Sequence, residues 1–366
     1  MAVKTWACDP QTGNVLGQMP VADGARFISR LGGGIFDAQV PLGQFRTRDG
    51  SGPDLGAIRR FLDWCDGGRH TLLVTDGTEV IGEWLTWKHG QPSTGGLLPI
   101  SGIEWDAYPQ FRSLFTRFQY TNADLGTVVR DLLAGAIFEY QSETMGFTIP
   151  AITTGIRVTI DHRSRTKYFG DVLDDLSRLD PGMEWRVKIG AEWDGDVPTR
   201  AVRTVIYGVP EIRTPTSIRL VKPPPGRRHG NVISWERSRD YSKAAQSMYG
   251  WGGGEGDKQR FIGLSDPTGW RAGGLAITKN ISFPGELSDA LLEKKTRKAL
   301  ADAQNTWEPT SASVDARNLP ARPRVGDVLA CDVGWSYTYP DGFTGSLRVG
   351  EVTTRTGSPL IDLELA

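Results

Sequence analysis

Acidic side chains are the residues of this sequence whose types and spacing could most readily do chemistry. Asp174 and Asp175 are adjacent, and a second group, Glu192, Asp194 and Asp196, occupies alternate positions. A pair of carboxylates could cleave a glycosidic bond, and the second group could also bind Ca²⁺. The full loop of a calcium-binding hand is missing, however, and exposed turn chemistry explains the second group without an ion. We therefore predict no metal site.

The histidines offer little catalytic or metal-binding potential. The sequence has four, and none stands at the spacing of metal ligands: His70, His89, His162 and His229. Asp161-His162 follows a predicted strand and could form half of an acid–base pair, although a histidine at a strand end is more often solvated or capping. No HExxH motif and no GxSxG nucleophile elbow occurs. We predict no catalytic residue.

Two glycine-rich tracts resemble phosphate-binding loops only superficially. Gly32-Gly33-Gly34 precedes a predicted strand, so no helix N-terminus is available to a phosphate. The tract 252–258 departs from the GxxxxGK[ST] spacing, and Gln259 stands where Ser or Thr would bind Mg²⁺. A mobile loop is the simpler interpretation of this tract. We predict no bound nucleotide and no other cofactor.

The composition indicates many turns and no dominant charge. The 42 basic and 43 acidic side chains nearly cancel, so electrostatics favour neither a nucleic acid nor a membrane as partner. The longest apolar run, 132–138, is too short to span a bilayer, and the amino terminus lacks a secretory signal. Glycine is abundant, at 45 of 366 residues, which predicts short strands joined by turns. Cys8, Cys65 and Cys331 are predicted to be buried free thiols, with one chance disulfide as the alternative.

Two amphipathic helices are the clearest elements. The first places five apolar side chains on one face: Leu125, Val128, Val129, Leu132 and Leu133. Asn122 or Asp124 is its predicted cap, and Gly135 its predicted end. The second repeats the pattern with Phe169, Val172, Leu173, Leu176 and Leu179. With short strands around 147–149, 157–160, 183–189 and 202–207, these helices predict an α+β domain over 111–215. Neither apolar face carries an acid or base, so this unit is a scaffold.

The first 110 residues predict a small β domain. Strands over 26–31 and 36–40 precede a helix over 54–65, with Asp54 as its cap. The apolar face of this helix is predicted to hold Leu55, Ile58, Leu62 and Cys65. A hairpin then runs from 71–75 through Asp76-Gly77 to 80–87, followed by a strand over 97–105. Because small antiparallel domains close to avoid free edges, we predict a β-barrel-like domain.

The carboxy-terminal part, 216–366, predicts a second β-barrel-like domain. The proline run 223–226 is the strongest linker candidate, because it can join neither a ladder nor a helix. A mildly amphipathic helix over 286–307 would cover a sheet edge with the apolar stripe Leu287, Ala290, Leu291, Ala299, Leu300 and Ala303. Further strands are predicted over 231–235, 324–333, 347–354 and 360–365. In the last of these, Ile361, Leu363 and Leu365 face one way and Asp362 and Glu364 the other, as in a half-buried strand. The fold class is therefore mainly β with α+β, in which two small β-barrel-like domains flank an α+β domain.

Basic side chains are concentrated between residues 200 and 243. A solvated or interface-facing surface is the simpler interpretation. A stripe that binds nucleic acid is the alternative, but Trp235 alone does not provide the aromatic residues that stacking on bases needs.

Several short motifs, in a fixed order, carry a resemblance to a known family. They are GEWLTW (82–87), GIEWDAY (102–108), the paired helices, ISWERSRDYS (233–242), YGWG (249–252), the late helix and RVGDV (324–328). With these motifs the sequence resembles the minor tail proteins of actinobacterial siphophages, in particular the baseplate hub or tail-tip hub family. The resemblance spans most of the chain, and none of its motifs is a catalytic signature.

The resemblance implies a homotrimer in which each subunit contributes two β-barrel domains. Six barrels would form a pseudo-sixfold ring that continues the tail tube, with the α+β domain outside. The implied partners are the distal tail protein, the tape-measure protein and other tail-tip proteins, with phage DNA only in transit. The implied location is the tail tip of the virion, after synthesis in the host cytoplasm and without stable membrane insertion. No appended lytic domain is expected after the last strand.

The leading hypothesis is a structural, non-enzymatic virion protein of the tail tip. The alternative is a carbohydrate- or receptor-binding tail protein that attaches to the host cell surface, which would show exposed aromatic platforms. A glycan-degrading enzyme is the third hypothesis. Aromatic strand residues such as Trp84 and Trp87 alternate poorly with polar neighbours, and our hypothesis is that some of them are subunit contacts.

Overall fold

The computed structural model describes residues 3–50, 52–91, 96–138, 145–179, 181–224, 226, 230–237, 244–254, 256, 259–265, 277–283, 288–305, 310–335 and 340–366. Within these ranges the strands form one sheet of 13 strands, two sheets of three strands and one pair. The helices are α1 Leu55–Cys65, α2 Leu125–Phe138, α3 Phe169–Ser177 and α4 Asp289–Asn305. The prediction of a mainly β chain with a few helices is confirmed.

The amino-terminal strands are β1 Val3–Cys8, β2 Val15–Gln18, β3 Arg26–Arg30, β4 Ile35–Pro41, β5 Thr71–Asp76, β6 Glu79–His89 and β7 Leu97–Glu104. The predicted hairpin is present, since β5 and β6 pair antiparallel around Gly77, whose φ of +59° suits the turn. Trp84 is fully buried and packs on Phe27 with ring centroids 5.2 Å apart. Trp84 is therefore excluded as a candidate subunit contact, because its ring fills the core.

The middle of the chain contributes β8 Phe118–Asp124, β9 Phe147–Thr148, β10 Arg157–His162, β11 Glu184–Asp194 and β12 Val197–Gly208. Strands β8 and β10 form the two-stranded pair, and β11, β12 and β9 form a three-stranded sheet. The turn between β11 and β12 is the predicted Asp194-Gly195-Asp196 turn, with Gly195 at φ +57°. The predicted strands of this unit are thus confirmed, although β11 and β12 are longer than expected.

The carboxy-terminal strands are β13 Thr214–Lys222, β14 Val232–Arg237, β15 Ser247–Trp251, β16 Phe261–Ser265, β17 Thr278–Ser282, β18 Thr310–Asp315, β19 Asp327–Val333, β20 Phe343–Arg355 and β21 Leu360–Leu365. In β21 the alternation is as predicted, with Ile361, Leu363 and Leu365 buried. The 223–226 run joins β13 to β14, and both strands belong to the large sheet. The strands before and after the run are therefore parts of the same sheet, and residue 225 of the run lies outside the described residues.

One strand pairing joins the two ends of the chain. β3 pairs antiparallel with β20 from Arg26↔Arg355 to Arg30↔Glu351. The large sheet consequently runs through both regions for which separate barrels were predicted, and no closed barrel forms among the described strands. The prediction of two barrels was wrong because the edges of the amino-terminal strands are protected by strands more than 300 residues away, a pairing that local patterns do not contain.

Helices α2 and α3 pack against each other through the predicted apolar faces. All ten predicted side chains are buried in one core, although Leu179 lies just beyond the end of α3. Asp124 accepts a hydrogen bond from the amide of Gly126 at 2.9 Å, as expected for a cap. Gly135 does not end α2, which continues to Phe138. A Cβ at this position would lie 2.9 Å from the ring of Phe169, so the glycine allows close helix packing.

Helix α1 begins as predicted but buries a different face. Asp54 accepts a hydrogen bond from the amide of Ala57 at 2.9 Å. Phe61 and Trp64 are buried, whereas Leu55 is 60% exposed. The Phe61 ring stacks on Phe45 at 4.3 Å. Of the predicted face only Cys65 is fully buried, so the prediction was wrong for the two leucines, because the two aromatic rings remove more apolar area from water.

Helix α4 covers the face of a small sheet, not an edge. It packs on β15, the central strand between β16 and β17. Its buried side chains are only partly the predicted ones, since Leu300 and Ala303 are buried but Ala290 is exposed. The predicted positions 286, 287, 306 and 307 lie outside the described residues. No helix among the described residues is long and apolar enough to cross a membrane.

Candidate functional site

A buried ion pair lies where the amino-terminal strands meet β12. The Glu83 and Arg203 side chains have no exposed surface. Arg203 Nε donates to Glu83 Oε2 at 2.8 Å, and Nη2 donates to Glu83 Oε1 at 2.6 Å. Such a bidentate geometry is the strongest form of an arginine–carboxylate contact. It fixes the position of β12 against β6.

The remaining hydrogen-bonding capacity of both groups is also used. Arg203 Nη1 donates to the carbonyl oxygens of Pro10 and Met145, at 2.7 and 2.6 Å. Trp105 Nε1 donates to Glu83 Oε2 at 3.0 Å, and its ring lies 4.6 Å from the Arg203 guanidinium. Satisfied partners on every side are what a buried charge pair requires.

Electrostatics keep Glu83 ionised. Burial by itself would raise the pKa of Glu83, but the charge of Arg203 and the hydrogen bonds from its neighbours outweigh burial, so the pKa lies below its usual value. A carboxylate that is ionised, enclosed and fully hydrogen-bonded has no proton to give and no approach for a substrate. This arrangement suits structural support and not acid–base catalysis.

A second group of buried charges connects all three parts of the chain. Arg186 of β11 donates to Ser29 Oγ and to the carbonyl oxygen of Val325, both at 3.1 Å. Asp106 Oδ1 accepts from the backbone amide of Val187 at 2.6 Å, and Oδ2 lies 4.0 Å from Arg186 Nε. Glu104 Oε2 accepts from the amide of Gly34 at 2.7 Å. Arg186 is thus the counter-charge of two carboxylates, Asp106 and Glu104. Each carboxylate also accepts a hydrogen bond from a backbone amide of another segment.

The two carboxylates share one counter-charge, so their protonation is shifted. Burial raises the pKa of Asp106 to about 7, since the nearby charge of Glu104 adds to burial and Arg186 offsets only part of it. Burial likewise raises the pKa of Glu104, against the opposing effect of Arg186. The junction therefore carries a group that titrates near neutral pH.

A cavity of about 400 Å³ lies between the three parts of the chain. Its lining includes Trp84 from the amino-terminal sheet, Arg186 and Tyr207 from β11 and β12, and Val352 from β20. Beside it, Arg348 Nη1 lies 3.0 Å from Glu211 Oε2, and Arg322 pairs with Asp76. Charged contacts thus link the carboxy-terminal strands to both other parts.

Four of the acidic and histidine residues considered in the sequence analysis lie together in one cleft. A cleft of about 910 Å³ between β10, α3 and α4 brings together Asp161, His162, Asp174 and Asp175. Asp161 forms an exposed ion pair with Arg117 at 2.7 Å.

Helix α3 holds the two adjacent aspartates in different environments. Asp174 accepts from Gln110 at 2.9 Å, and burial raises its pKa. Asp175 lies 2.8 Å from Lys167 and 3.4 Å from Lys295. Burial would raise the pKa of Asp175, but the two lysines lower it by more.

The other candidates are dispersed. Glu192 lies on β11, 3.7 Å from Arg200 Nη1 in an exposed ion pair, whereas Asp194 and Asp196 flank the turn. His89 Nδ1 lies 3.2 Å from the carbonyl oxygen of Gly90, and His229 is outside the described residues. No cluster of three or more potential metal ligands occurs in the described part of the chain. The three cysteines are free and buried, as predicted.

Neither Glu83 nor Arg203 was predicted from the sequence to be a buried charge. Glu83 follows Val80-Ile81-Gly82 and precedes Trp84-Leu85, and Arg203 interrupts the apolar strand 201–207. A single charge within an otherwise apolar strand could have indicated a buried pair. Nothing in the sequence indicates which charge pairs with which.

Comparison of the fold with solved structures relates the whole chain to phage tail proteins. A tail protein from Neisseria meningitidis MC58 superposes with a TM-score of 0.58 at 12% identity, covering 100% of this chain and 96% of the other. The 43 kDa tail protein of prophage MuSo2 from Shewanella oneidensis gives 0.60 at 10% identity, covering 100% and 98%. Prophage tail protein gp18 from Listeria monocytogenes EGD-e gives 0.51 at 11% identity, covering 100% and 94%.

These similarities define the class of fold. The chain has the fold of these phage tail proteins from end to end. No protein-family model matches the sequence, and no curated protein is similar to it in sequence.

Proposed function

We propose that the chain is a structural virion protein of the phage tail tip, a baseplate hub that joins the tail tube to the tip. The observation that carries the proposal is the match to tail proteins over the full length of both chains. The junction of buried ion pairs supports it, because a component under mechanical load needs its parts held in fixed relative positions. The proposal assigns no catalytic step to the chain.

The assembly belongs to the proposal. Three copies form a ring through which the phage genome passes, in a siphophage whose host is an actinobacterium. The distal tail protein, the tape-measure protein and other tail-tip proteins are the proposed neighbours. The amino-terminal, α+β and carboxy-terminal regions, 1–110, 111–215 and 216–366, would occupy different positions around the ring, with the α+β region outside.

An exposed aromatic pair supports a subunit contact. Trp87 is 40% exposed and Phe111 is 49% exposed, and their ring centroids are 4.6 Å apart. Aromatic side chains are enriched at protein interfaces, where the apolar ring gains from leaving water. Trp87, unlike Trp84, is therefore available for the predicted contact.

Light scattering on the purified chain tests the proposal. We expect the mass of three chains and ring-shaped particles in electron micrographs. The double variant Trp87→Asp, Phe111→Asp should have the mass of one chain, because two buried carboxylates would oppose the contact. Trp335→Asp, at another exposed aromatic residue, should leave the mass unchanged. A wild-type chain that stays monomeric at all accessible concentrations would contradict the ring.

A further inference from the structure

The small sheet of β15, β16 and β17 has one face that is closely covered. Alternate residues of β15 point towards α4, and a Cβ on Gly250 would lie 1.9 Å from Thr296 Oγ1. Met248 is buried in the same core as Leu300 and Ala303. Helix α4 therefore occupies this side of the sheet, and the intervening residues of each strand face the other way.

The opposite face is aromatic, hydroxyl-rich and uncharged. We call it the aromatic face, and its residues are Ser247, Tyr249 and Trp251 of β15, Phe261, Gly263 and Ser265 of β16, and Thr278, Asn280 and Ser282 of β17. Tyr249 is 40% exposed and Phe261 is 49% exposed. None of these nine positions carries a charge.

The three rings form a continuous surface that is held in place. The Phe261 ring centroid lies 5.4 Å from that of Tyr249 and 4.7 Å from that of Trp251. A Cβ on Gly263 would lie 3.3 Å from the Tyr249 ring, so this ring lies across a glycine on the neighbouring strand. Trp251 Nε1 donates to Asn280 Oδ1 at 3.3 Å, which orients the indole.

Hydroxyl-bearing residues border the rings at one end of the sheet, and Ser282 lies beside Trp251 in the register of β17. Ser247 pairs with Ser265 on one side and with Thr278 on the other. The two serine Oγ atoms are 3.0 Å apart. A hydroxyl both donates and accepts, so this border can hydrogen-bond to groups of either kind.

This combination selects a class of ligand. The faces of aromatic rings can pack on the C–H faces of sugar rings, while neighbouring hydroxyl and amide groups hydrogen-bond to sugar hydroxyls. A nucleic acid would require lysine or arginine on the face, which has neither. The core of a protein interface is depleted in serine, whereas three of these nine residues are serines. We propose that the aromatic face binds a neutral polysaccharide chain.

The proposal is tested by retention of the full chain on insoluble cellulose, chitin and mannan, with depletion isotherms giving the affinity. We expect retention on at least one of these polymers. The double variant Tyr249→Ala, Phe261→Ala should bind at least about tenfold more weakly, as expected for loss of central aromatic anchors. Trp335→Ala removes an equally exposed ring elsewhere (47% exposed) and should bind like the wild type.

Two results would overturn the proposal. One is failure of the folded wild-type chain to be retained on any of the three polymers. The other is undiminished retention of the double variant, with circular dichroism showing that it is folded. The result is separable from the ring proposal, since a monomer that binds polysaccharide through Tyr249 and Phe261 would retain this site and exclude the ring.

Discussion

At the scale of single residues, Glu83 and Arg203 act as one unit because neither could remain alone in the protein interior. Arg203 also supports two backbone carbonyl groups, and Glu83 accepts from Trp105. The pair therefore does more than cancel two charges, since it satisfies polar groups from three separate segments. Replacing the pair by two apolar side chains would leave those groups without partners.

We predict that Glu83→Gln strongly destabilises the chain. The neutral amide leaves the buried charge of Arg203 uncompensated. Its own N–H groups also point towards Arg203 or Trp105, which are hydrogen-bond donors themselves. Breaking a buried pair in this way costs about 3 to 5 kcal/mol of unfolding free energy. Guanidinium unfolding followed by circular dichroism measures the loss.

The matched control is Asp161→Asn, which breaks the exposed pair with Arg117. It should leave the unfolding midpoint nearly unchanged, because water screens exposed pairs. Equal midpoints for Glu83→Gln and the wild type would contradict the role of the buried pair.

We predict that Asp106 makes stability depend on pH. Its pKa in the folded chain, about 7, lies above the ordinary value of 3.8, so folding binds a proton between these two pH values. Stability therefore falls as pH rises through this window and levels off above it. Asp106→Asn keeps an oxygen for the amide of Val187 and cannot ionise. Between pH 5 and 8 the wild type should lose roughly 1 to 3 kcal/mol more than this variant.

Urea unfolding of both proteins at several pH values measures the difference. Parallel pH profiles would show that Asp106 does not titrate in this window.

At the scale of elements, local sequence patterns predict where the helices and the hairpin lie. They do not always predict which face of a helix is buried. The α2 and α3 faces are as predicted because their apolar residues fall on one stripe, which leaves one way to bury them. In α1 the leucines and the aromatic residues occupy different faces, and packing against the amino-terminal core, including Phe45, buries Phe61 and Trp64. Gly135 behaves in the same way, since packing against Phe169 overrides its tendency to end a helix.

At the scale of the whole molecule, the pairing of β3 with β20 makes the two ends of the chain one sheet. The amino-terminal strands then depend on residues beyond 340 for an edge partner and on Arg203 for the charge of Glu83. We therefore expect the amino-terminal strands to unfold together with the strands that complete their sheet.

We predict that a fragment of residues 1–110 does not fold on its own. It would expose one edge of β3 and bury Glu83 without Arg203. Its amide proton spectrum should lack the dispersion of a folded β domain, whereas the full chain should show it. A well-dispersed spectrum from the fragment would mean that the amino-terminal strands form an independent domain.

Local sequence patterns were sufficient to predict the mainly β class, the two amphipathic helices, the β5–β6 hairpin and the alternation in β21. These depend on residues within a few positions of each other, where periodicity and turn chemistry act directly. The order of the short motifs also supported the resemblance to tail proteins. The described chain then shows the fold of such proteins along its whole length.

Which strands share a sheet, which charges pair and which aromatic rings face outwards became clear only from the folded chain. β3 meets β20, Glu83 meets Arg203 across 120 positions, and Tyr249 lies over Gly263 of the next strand. Each contact depends on closing a long loop, and local propensities carry no information on where such a loop closes. For that reason neither the aromatic face nor the buried ion pairs at the junction could be predicted from local sequence patterns.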